Sequence, residues 1–115
     1  MRIERVPLSA VGNGAFVQVI TPISPGQLIH EVPSDLDVID VIHLWGIDPA
    51  GGGGSPLLML EWGATGGDTI NRFFMDEKLY KVVDGMCLWP GQGVYGIASA
   101  QINVCGYVDR IYKLR

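Results

Sequence analysis

The chain has 115 residues, enough for one domain, with 48% hydrophobic and only 17% charged residues. Its eight basic and twelve acidic residues give a formal net charge of −4 and form no basic tract, so direct nucleic-acid binding is not expected. No apolar run approaches the roughly 20 residues of a membrane span. The charged N-terminus lacks the apolar core of a signal peptide. The scarcity of charged residues favours a protomer of an assembly over a free monomer.

The N-terminal residues 1–14 are predicted to be an arm. Pro7 interrupts any regular element there, and the Gly-Asn-Gly sequence at 12–14 is a turn signal. A single β-sandwich domain is expected over residues 15–115. Its first two strands are predicted at 15–20 and 27–32, on either side of a proline-containing turn.

Residues 34–46 fit two patterns. Val38, Val41, Ile42 and Trp45 follow the spacing of one helical face, and Ser34 is placed where a helix cap would be. The dominance of Val and Ile, whose branched Cβ atoms favour extended backbone, argues for a strand. We favour the strand, in which both faces are largely apolar, as in a strand covered on both sides.

The rest of the chain alternates short apolar runs with glycine-rich breaks. Glycines 51–54 are predicted to form a flexible hairpin tip, and residues 76–83 either one helical turn or an irregular loop that ends at Asp84-Gly85. Short strands with turns between them predict an all-β fold, an antiparallel β-sandwich of jelly-roll-like type. The strands are expected at 57–62, 68–75, 86–89, 94–99 and 102–112.

One glycine motif has the spacing of a dinucleotide-binding loop. Residues 91–96 read GQGVYG, which matches GxGxxG. That loop binds pyrophosphate only where it joins a strand to a helix, and residues 97–104 here have the pattern of a strand. The glycines are therefore interpreted as turn residues, and no cofactor is predicted.

Residues with metal-binding or catalytic side chains form no recognisable site. His30 and His43 lack partners at metal-ligand spacing, and the cluster Asp35, Asp37 and Asp40 lacks the glycine and closing glutamate of a calcium loop, so it is interpreted as a solvated strand entry. Each of the two cysteines lies in an apolar stretch typical of buried free thiols, and a disulfide between Cys87 and Cys105 is the less favoured alternative. The chain is predicted not to be an enzyme and to hold no metal.

The aromatic residues allow a carbohydrate-binding alternative. Trp45 and Trp62 lie on predicted strands and are expected in the core, whereas Trp89, beside Pro90, is the best candidate for an exposed ring. Exposed aromatic rings around Trp89 and Tyr95 could stack on a sugar or anchor a protein partner.

The order of several phrases resembles small virion proteins of tailed bacteriophages. The phrases are VIHLWGID, the glycine-rich tip, LLMLEWGAT, DTI, GVYGIASA and INVCGYVDRI, and the resemblance extends over about residues 37–111. It implies a β-sandwich or jelly-roll module of the capsid, either a cement or decoration protein or the base of a head fibre. Such modules often assemble as trimers.

The resemblance implies a function in binding and stabilising the capsid. The expected partners are the major capsid protein and further copies of the chain in a homotrimer, on the capsid surface of a virion assembled in the host cytoplasm. A carbohydrate- or host-binding module is the alternative. The expected partner-binding residues, chosen by position in the arm and in the segment 76–89, are Arg2, Ile3, Val6, Leu8, Leu79, Tyr80, Met86 and Trp89.

Overall fold

The computed structural model describes residues 1–11, 16–23, 25–50, 56–63, 68–76 and 78–113, and residues 68–71 by their backbone. Within these ranges the chain is all-β, as predicted, and contains no helix. The predicted tip at 51–54 and turn at 12–14 lie outside the described residues. The strands are β1 Arg2–Pro7, β2 Val17–Val19, β3 Gln27–Glu31, β4 Val38–Ile47, β5 Leu57–Gly63, β6 Asp68–Phe74, β7 Tyr80–Leu88, β8 Gly93–Ala98 and β9 Ile102–Tyr112.

The strands form two antiparallel sheets packed together, which confirms the predicted β-sandwich. The five-stranded sheet has the order β1-β9-β4-β7, with β2 also paired to β9, and the four-stranded sheet has the order β3-β8-β5-β6. Strands β1 and β2 lie end to end along β9, opposite residues 107–112 and 102–104 respectively. The pairs are nested, β5 with β6, β4 with β7, β3 with β8 and β2 with β9.

Strand β4 is the centre of the five-stranded sheet, and the helical alternative for residues 34–46 is wrong. Its side chains alternate strictly between buried and partly exposed over ten residues, as the two-residue period of a strand requires. Ile42 and Leu44 point into the sandwich, whereas Val41 and Trp45 lie on the opposite face. The expectation that both faces are covered is therefore wrong, because one face packs on the other sheet and one does not.

The core lies between the two sheets. Branched side chains fill it from both sides, and fully burying each contributes about 1.5–3 kcal/mol relative to leaving it in water. Ile42 and Leu44 of β4 contribute from one sheet, and Leu58 and Leu60 of β5 from the other. Further buried members are Val17, Val19, Ile29, Val32, Val38, Val83, Leu88, Val94, Ile102, Val104 and Val108.

Most of the predicted N-terminal arm is a strand of the sheet. Residues 2–7 pair with β9 in unbroken register from Arg2 opposite Tyr112 to Pro7 opposite Tyr107. Pro7 is tolerated because it is the last residue of a strand at the edge of the sheet, where a missing N–H breaks no ladder. The start of the chain is therefore part of the sandwich.

From Tyr80 onward, strand β7 replaces the helical turn or loop predicted at 76–83, whereas residues 76, 78 and 79 are irregular, and Asp84-Gly85 does not end the strand. The register between β4 and β7 shifts twice, between Ile42 and His43 and between Leu44 and Trp45. Gly85 has a φ of 85°, a conformation that glycine adopts without steric cost. These β-bulges absorb the extra residues, so the sequence that looked like a break continues the strand.

Candidate interaction surface

Five of the eight predicted partner-binding residues lie at the two ends of the sandwich. The Trp89 end is where β1 begins and β7 and β9 end, and it carries Arg2, Ile3 and Trp89. The Tyr80 end is where β7 and β9 begin and β4 ends, and it carries Leu79 and Tyr80. Seven residues of β4, about 23 Å of extended backbone, separate the two ends. The arm and the segment before β7 therefore do not form one surface.

Three of the predicted partner-binding residues point into the sandwich. Leu8 is 2% exposed and belongs to the core, and Val6 and Met86 are partly buried against it. Leu8 is held there because the residues that follow it bond to β3, with Ala10 N–H donating to the Ile29 carbonyl at 3.3 Å. The predicted partner contact of Leu8 is wrong for this fold, because its side chain already has its neighbours inside the protein.

The Tyr80 end has a rim of exposed apolar side chains, which we call the apolar rim. It consists of Ile20, Phe74, Leu79 and Tyr80, which are 62%, 75%, 52% and 41% exposed. Phe74 and the start of β7 flank a connection fixed to the neighbouring strand end, where the Asp48 N–H donates to the Asp76 carbonyl at 2.8 Å. Large apolar side chains exposed at one end of a small domain make that end a candidate for a protein contact.

The outer face of the five-stranded sheet is a second exposed surface, covered by no other described element. Residues directly opposite each other on neighbouring strands share a face, so the strand register defines its rows. Its apolar centre consists of Ile39, Val41, Trp45, Ile47 and Ile111, all partly exposed. The rows, from the Trp89 end, are Ile3–Ile111–Ile39, Arg5–Asp109–Val41–Cys87, Pro7–Tyr107–His43–Asp84, Cys105–Trp45–Lys81 and Gln18–Asn103–Ile47.

The charged groups of this outer face are paired with each other. Arg5 Nε lies 3.0 Å from Asp109 Oδ1, and Lys81 Nζ lies 2.9 Å from Asp84 Oδ1. The hydrogen bond from Arg5 holds the pKa of Asp109 below its ordinary value, and that from Lys81 does the same for the pKa of Asp84. Both carboxylates therefore stay ionised beside their partners at neutral pH, and the face has no net formal charge.

Tyr107 on the outer face offers no open ring for a sugar. The Arg5 guanidinium lies 3.9 Å from its ring centroid, and His43 stacks on it from the neighbouring strand at 4.9 Å and 26°. The Lys81 ammonium lies 4.8 Å from the Trp45 ring. Each of these rings therefore has a face occupied by a neighbouring side chain. The predicted core position of Trp45 is wrong.

The other predicted aromatic positions are placed as follows. Trp62 is 7% exposed and belongs to the core, as predicted, and Trp89 is 49% exposed, as predicted. Lys113 Nζ lies 5.1 Å from the Trp89 ring centroid. Tyr95 is only partly exposed, and burial raises the pKa of its hydroxyl. A sugar-binding surface would thus be centred on Trp89, whose ring has the Lys113 ammonium over it much as the Trp45 ring has that of Lys81.

The edges of the two sheets are poor templates for adding another strand. The edge strands β3, β6 and β7 all carry register shifts. The shift in β3 lies between Leu28 and His30, that in β6 lies opposite Leu60 and Glu61, and β7 has two shifts in its pairing with β4. The remaining edge is divided between β1, which ends in proline, and the three-residue β2. Bulges, proline and short edge strands are the usual protections against edge pairing. Partner contacts are therefore expected on a face or an end.

A buried polar network that the sequence did not reveal joins the two sheets. His30 and Asp40 are 1% and 0% exposed, and their Nε2 and Oδ2 atoms lie 2.7 Å apart. Arg110 donates to both oxygens of Asp40, at 2.8 and 3.0 Å. The Ser9 N–H donates to His30 Nδ1 at 3.0 Å, so the ring proton lies on Nε2 and is donated to Asp40. The prediction of a solvated strand entry is wrong for Asp40.

This network has the residue types of a catalytic triad but not the geometry. The hydroxyl of Ser9 accepts a hydrogen bond from the Glu31 N–H at 2.8 Å, and only the backbone of Ser9 reaches the histidine. Both His30 and Asp40 are sealed from solvent. The network fixes β3, β4, β9 and the segment after β1 to one another. No local sequence pattern indicated this network, because His30 lies 10 residues and Arg110 lies 70 residues from Asp40 in the chain.

Both cysteines are free thiols on the outer face, so the favoured prediction of unpaired thiols is confirmed. Cys87 lies opposite Val41 and Cys105 opposite Trp45, with β4 between them. Cys105 is partly buried, as predicted, but Cys87 is exposed because it lies on the edge strand. Burial raises the pKa of the Cys105 thiol.

We expect the two thiols to react at different rates. Cys87 should be alkylated several-fold faster than Cys105, because the thiolate is the nucleophile and Cys105 is both less accessible and harder to ionise. Iodoacetamide labelling of dilute protein, followed by peptide mass spectrometry over time, measures both rates. Equal rates, or a mass two hydrogens lower than that of the dithiol chain, would contradict this arrangement.

Comparisons with known proteins give no relative. A scan against models of protein families found no match, and neither curated proteins nor solved structures yielded one. Among the described residues, no three His, Cys, Asp or Glu side chains gather where they could hold a metal ion. The described ranges also contain no helix with the length and apolarity of a membrane span.

Proposed function

We propose that this chain is a structural virion protein of a tailed bacteriophage, which binds and stabilises the capsid as a cement or decoration protein. Its partner is the major capsid protein, its place is the capsid surface, and the virion is assembled in the host cytoplasm. The observation that carries the proposal is the apolar rim at the Tyr80 end, where four large apolar side chains are 41–75% exposed. Binding is the function that such a surface supports.

We also propose that the sandwich is of jelly-roll type. Support comes from the nested antiparallel pairs and from the two sheet orders, β1/β2-β9-β4-β7 and β3-β8-β5-β6. A long hairpin with β5 and β6 at its tip, rolled so that its pairs alternate between the sheets, has this connectivity. Jelly rolls occur in viral capsid and lectin domains, so the fold is compatible with both candidate functions and chooses neither.

Part of the apolar rim is anchored by hydrogen bonds. Beside Phe74 the Met75 N–H donates to the Pro56 carbonyl at 2.9 Å, and the Tyr80 hydroxyl donates to Asp76 at 3.0 Å. Presenting apolar groups on fixed backbone lowers the entropy lost on binding. The rim residues Leu79 and Tyr80 were among the partner-binding residues expected from sequence.

Capsid binding can be tested with two matched substitutions at opposite ends. Leu79 and Ile3 have similar size and exposure, 52% and 56%. Leu79→Ser should reduce the affinity measured by co-sedimentation with undecorated capsids about three- to tenfold, because burying the exposed half of this side chain contributes about 0.8–1.5 kcal/mol. Ile3→Ser should leave co-sedimentation unchanged.

The results for the two variants and the wild type distinguish where the contact lies from whether the protein binds capsids at all. Loss of binding in Ile3→Ser but not in Leu79→Ser would place the contact at the Trp89 end and contradict the rim. Absence of wild-type binding to any undecorated capsid would contradict the function itself. Deleting residues 1–7 is a poor test, because it removes β1 and uncovers β9. Circular dichroism of both serine variants controls for folding.

A carbohydrate- or host-binding module is the second candidate, supported by the half-exposed Trp89 ring with Lys113 beside it. Glycan-array binding that is lost in Trp89→Ala and kept in Leu79→Ser would favour it over capsid binding. The homotrimer implied by the resemblance stays a prediction.

A further inference from the structure

We propose that the outer face of the five-stranded sheet binds the same face of a second copy of this chain, giving a two-fold dimer. The inference is independent of capsid binding, which was assigned to the apolar rim. It rests on the apolar centre of the face, its internally paired charges, its area and the protection of the sheet edges.

The residues of the outer face are arranged as in a protein interface. The apolar centre Ile39, Val41, Trp45, Ile47 and Ile111 lies on the two central strands, β4 and β9. Arg5 on β1 and the pair Lys81–Asp84 on β7 lie at its two sides, and Asp109, which pairs with Arg5, lies on β9 opposite Val41. Specific interfaces combine apolar side chains with paired polar groups, and in a face-to-face dimer these charges would keep their partners within each subunit.

The charge balance of the face favours a second copy as the partner. The face carries two basic and two acidic groups, Arg5, Lys81, Asp84 and Asp109, which are paired with each other. The remaining six basic and ten acidic residues therefore account for the whole formal charge of −4. Two like-charged chains repel least when they meet through a neutral face. A strongly basic partner would find no unpaired carboxylate on it.

The area of the face suffices for a stable dimer. Four strands about 4.8 Å apart and ten residues of about 3.4 Å each give a face of roughly 650 Å². Two such faces would bury roughly 1,300 Å² in total, within the range of about 1,200–2,000 Å² for specific interfaces. Flat sheet faces pack on each other at about 10 Å. The same patch on both subunits implies a two-fold axis.

Because bulges and proline protect the edges of the five-stranded sheet, two copies would associate through its outer face rather than by edge pairing. Two register shifts in β7 and the Pro7 end of β1 hinder addition of a strand at either edge of this sheet. A trimer would need two different complementary patches on each subunit. A single self-complementary face closes as a pair.

Light scattering after size-exclusion chromatography tests the stoichiometry. The wild-type protein should have twice the 12.5 kDa chain mass at tens of micromolar and dissociate on dilution. Val41→Lys, which places a charge at the centre of the face, should have the mass of one chain. Val41→Thr, which keeps the shape, and Met59→Lys, on the outer side of the other sheet, should both keep the dimer.

The native cysteine on the face gives a second readout that needs no variant. Cys87 lies in the row of Val41, so its alkylation should slow several-fold as the wild-type concentration rises through the dimerisation range. A one-chain mass at all concentrations, a three-chain mass, or a dimer that survives Val41→Lys with unchanged Cys87 reactivity would overturn the inference. The three-chain mass would instead support the homotrimer implied by the resemblance.

Discussion

We expect Asp40→Asn to lower the free energy of unfolding by about 3–5 kcal/mol, the usual cost of breaking a buried ion pair. The substitution removes the carboxylate that accepts two hydrogen bonds from Arg110 and one from His30. The Arg110 guanidinium, 13% exposed, is then left without its counter-charge inside the sandwich. Urea denaturation followed by tryptophan fluorescence measures the change in the free energy of unfolding.

Asp109→Asn is the matched control. It also removes a carboxylate from an arginine, but Arg5 and Asp109 are 63% and 27% exposed, so the loss should stay below about 1 kcal/mol. Equal effects in the two variants would show that the buried network does not stabilise the fold as argued.

The wild-type protein and Asp40→Asn should also differ in how their stability responds to acid. Burial alone would raise the pKa of Asp40, but the hydrogen bonds from His30 and Arg110 outweigh it and hold the pKa below its ordinary value. Such a carboxyl contributes stability above its unfolded pKa of about 3.9, and that contribution is lost as the pH falls toward the folded pKa. Wild-type stability should therefore fall below about pH 5 more steeply than that of Asp40→Asn.

The sequence predicted the fold class because its signals were local. The β-branched residues of β4 and the glycine turns between apolar runs act through neighbouring residues, and they predicted the sandwich correctly. The errors arose where tertiary pairing overrides a local signal. Pro7 looked like a break but ends an edge strand, and Asp84-Gly85 looked like a break but lies within the bulged β7.

The candidate surfaces were predictable only in part. Trp89 was correctly expected to be exposed, because it lies beside Pro90, and Leu79 and Tyr80, chosen by position as partner-binding residues, are also exposed. The outer face could not be predicted, because its rows join residues from four strands far apart in sequence, such as Arg5, Asp109 and Val41. Position in the chain also could not distinguish Ile3, which faces solvent, from Leu8, which fills the core. The register of β1 on β9 and the bonds of the following segment to β3 decide that difference.

Gly106→Ala should be about as damaging as loss of Asp40, although alanine normally stabilises a strand interior by about 0.5–1 kcal/mol relative to glycine. Gly106 lies in β9 opposite Leu44, and an added Cβ would fall on the carbonyl oxygen of His43, with the Leu44 Cα 3.1 Å away. These are backbone atoms of the central strand pair, so relief requires β4 and β9 to separate. Overpacking against backbone should cost about 3 kcal/mol in the free energy of unfolding.

Gly46→Ala in the partner strand distinguishes this close approach from a general intolerance of alanine. A Cβ at Gly46 would meet the sulfur of Met75 at 3.0 Å, and the flexible methionine side chain can move aside, so the cost should be about 1 kcal/mol or less. Urea denaturation of both variants gives the comparison. If Gly106→Ala unfolds no more easily than Gly46→Ala, β4 and β9 do not approach as closely as described.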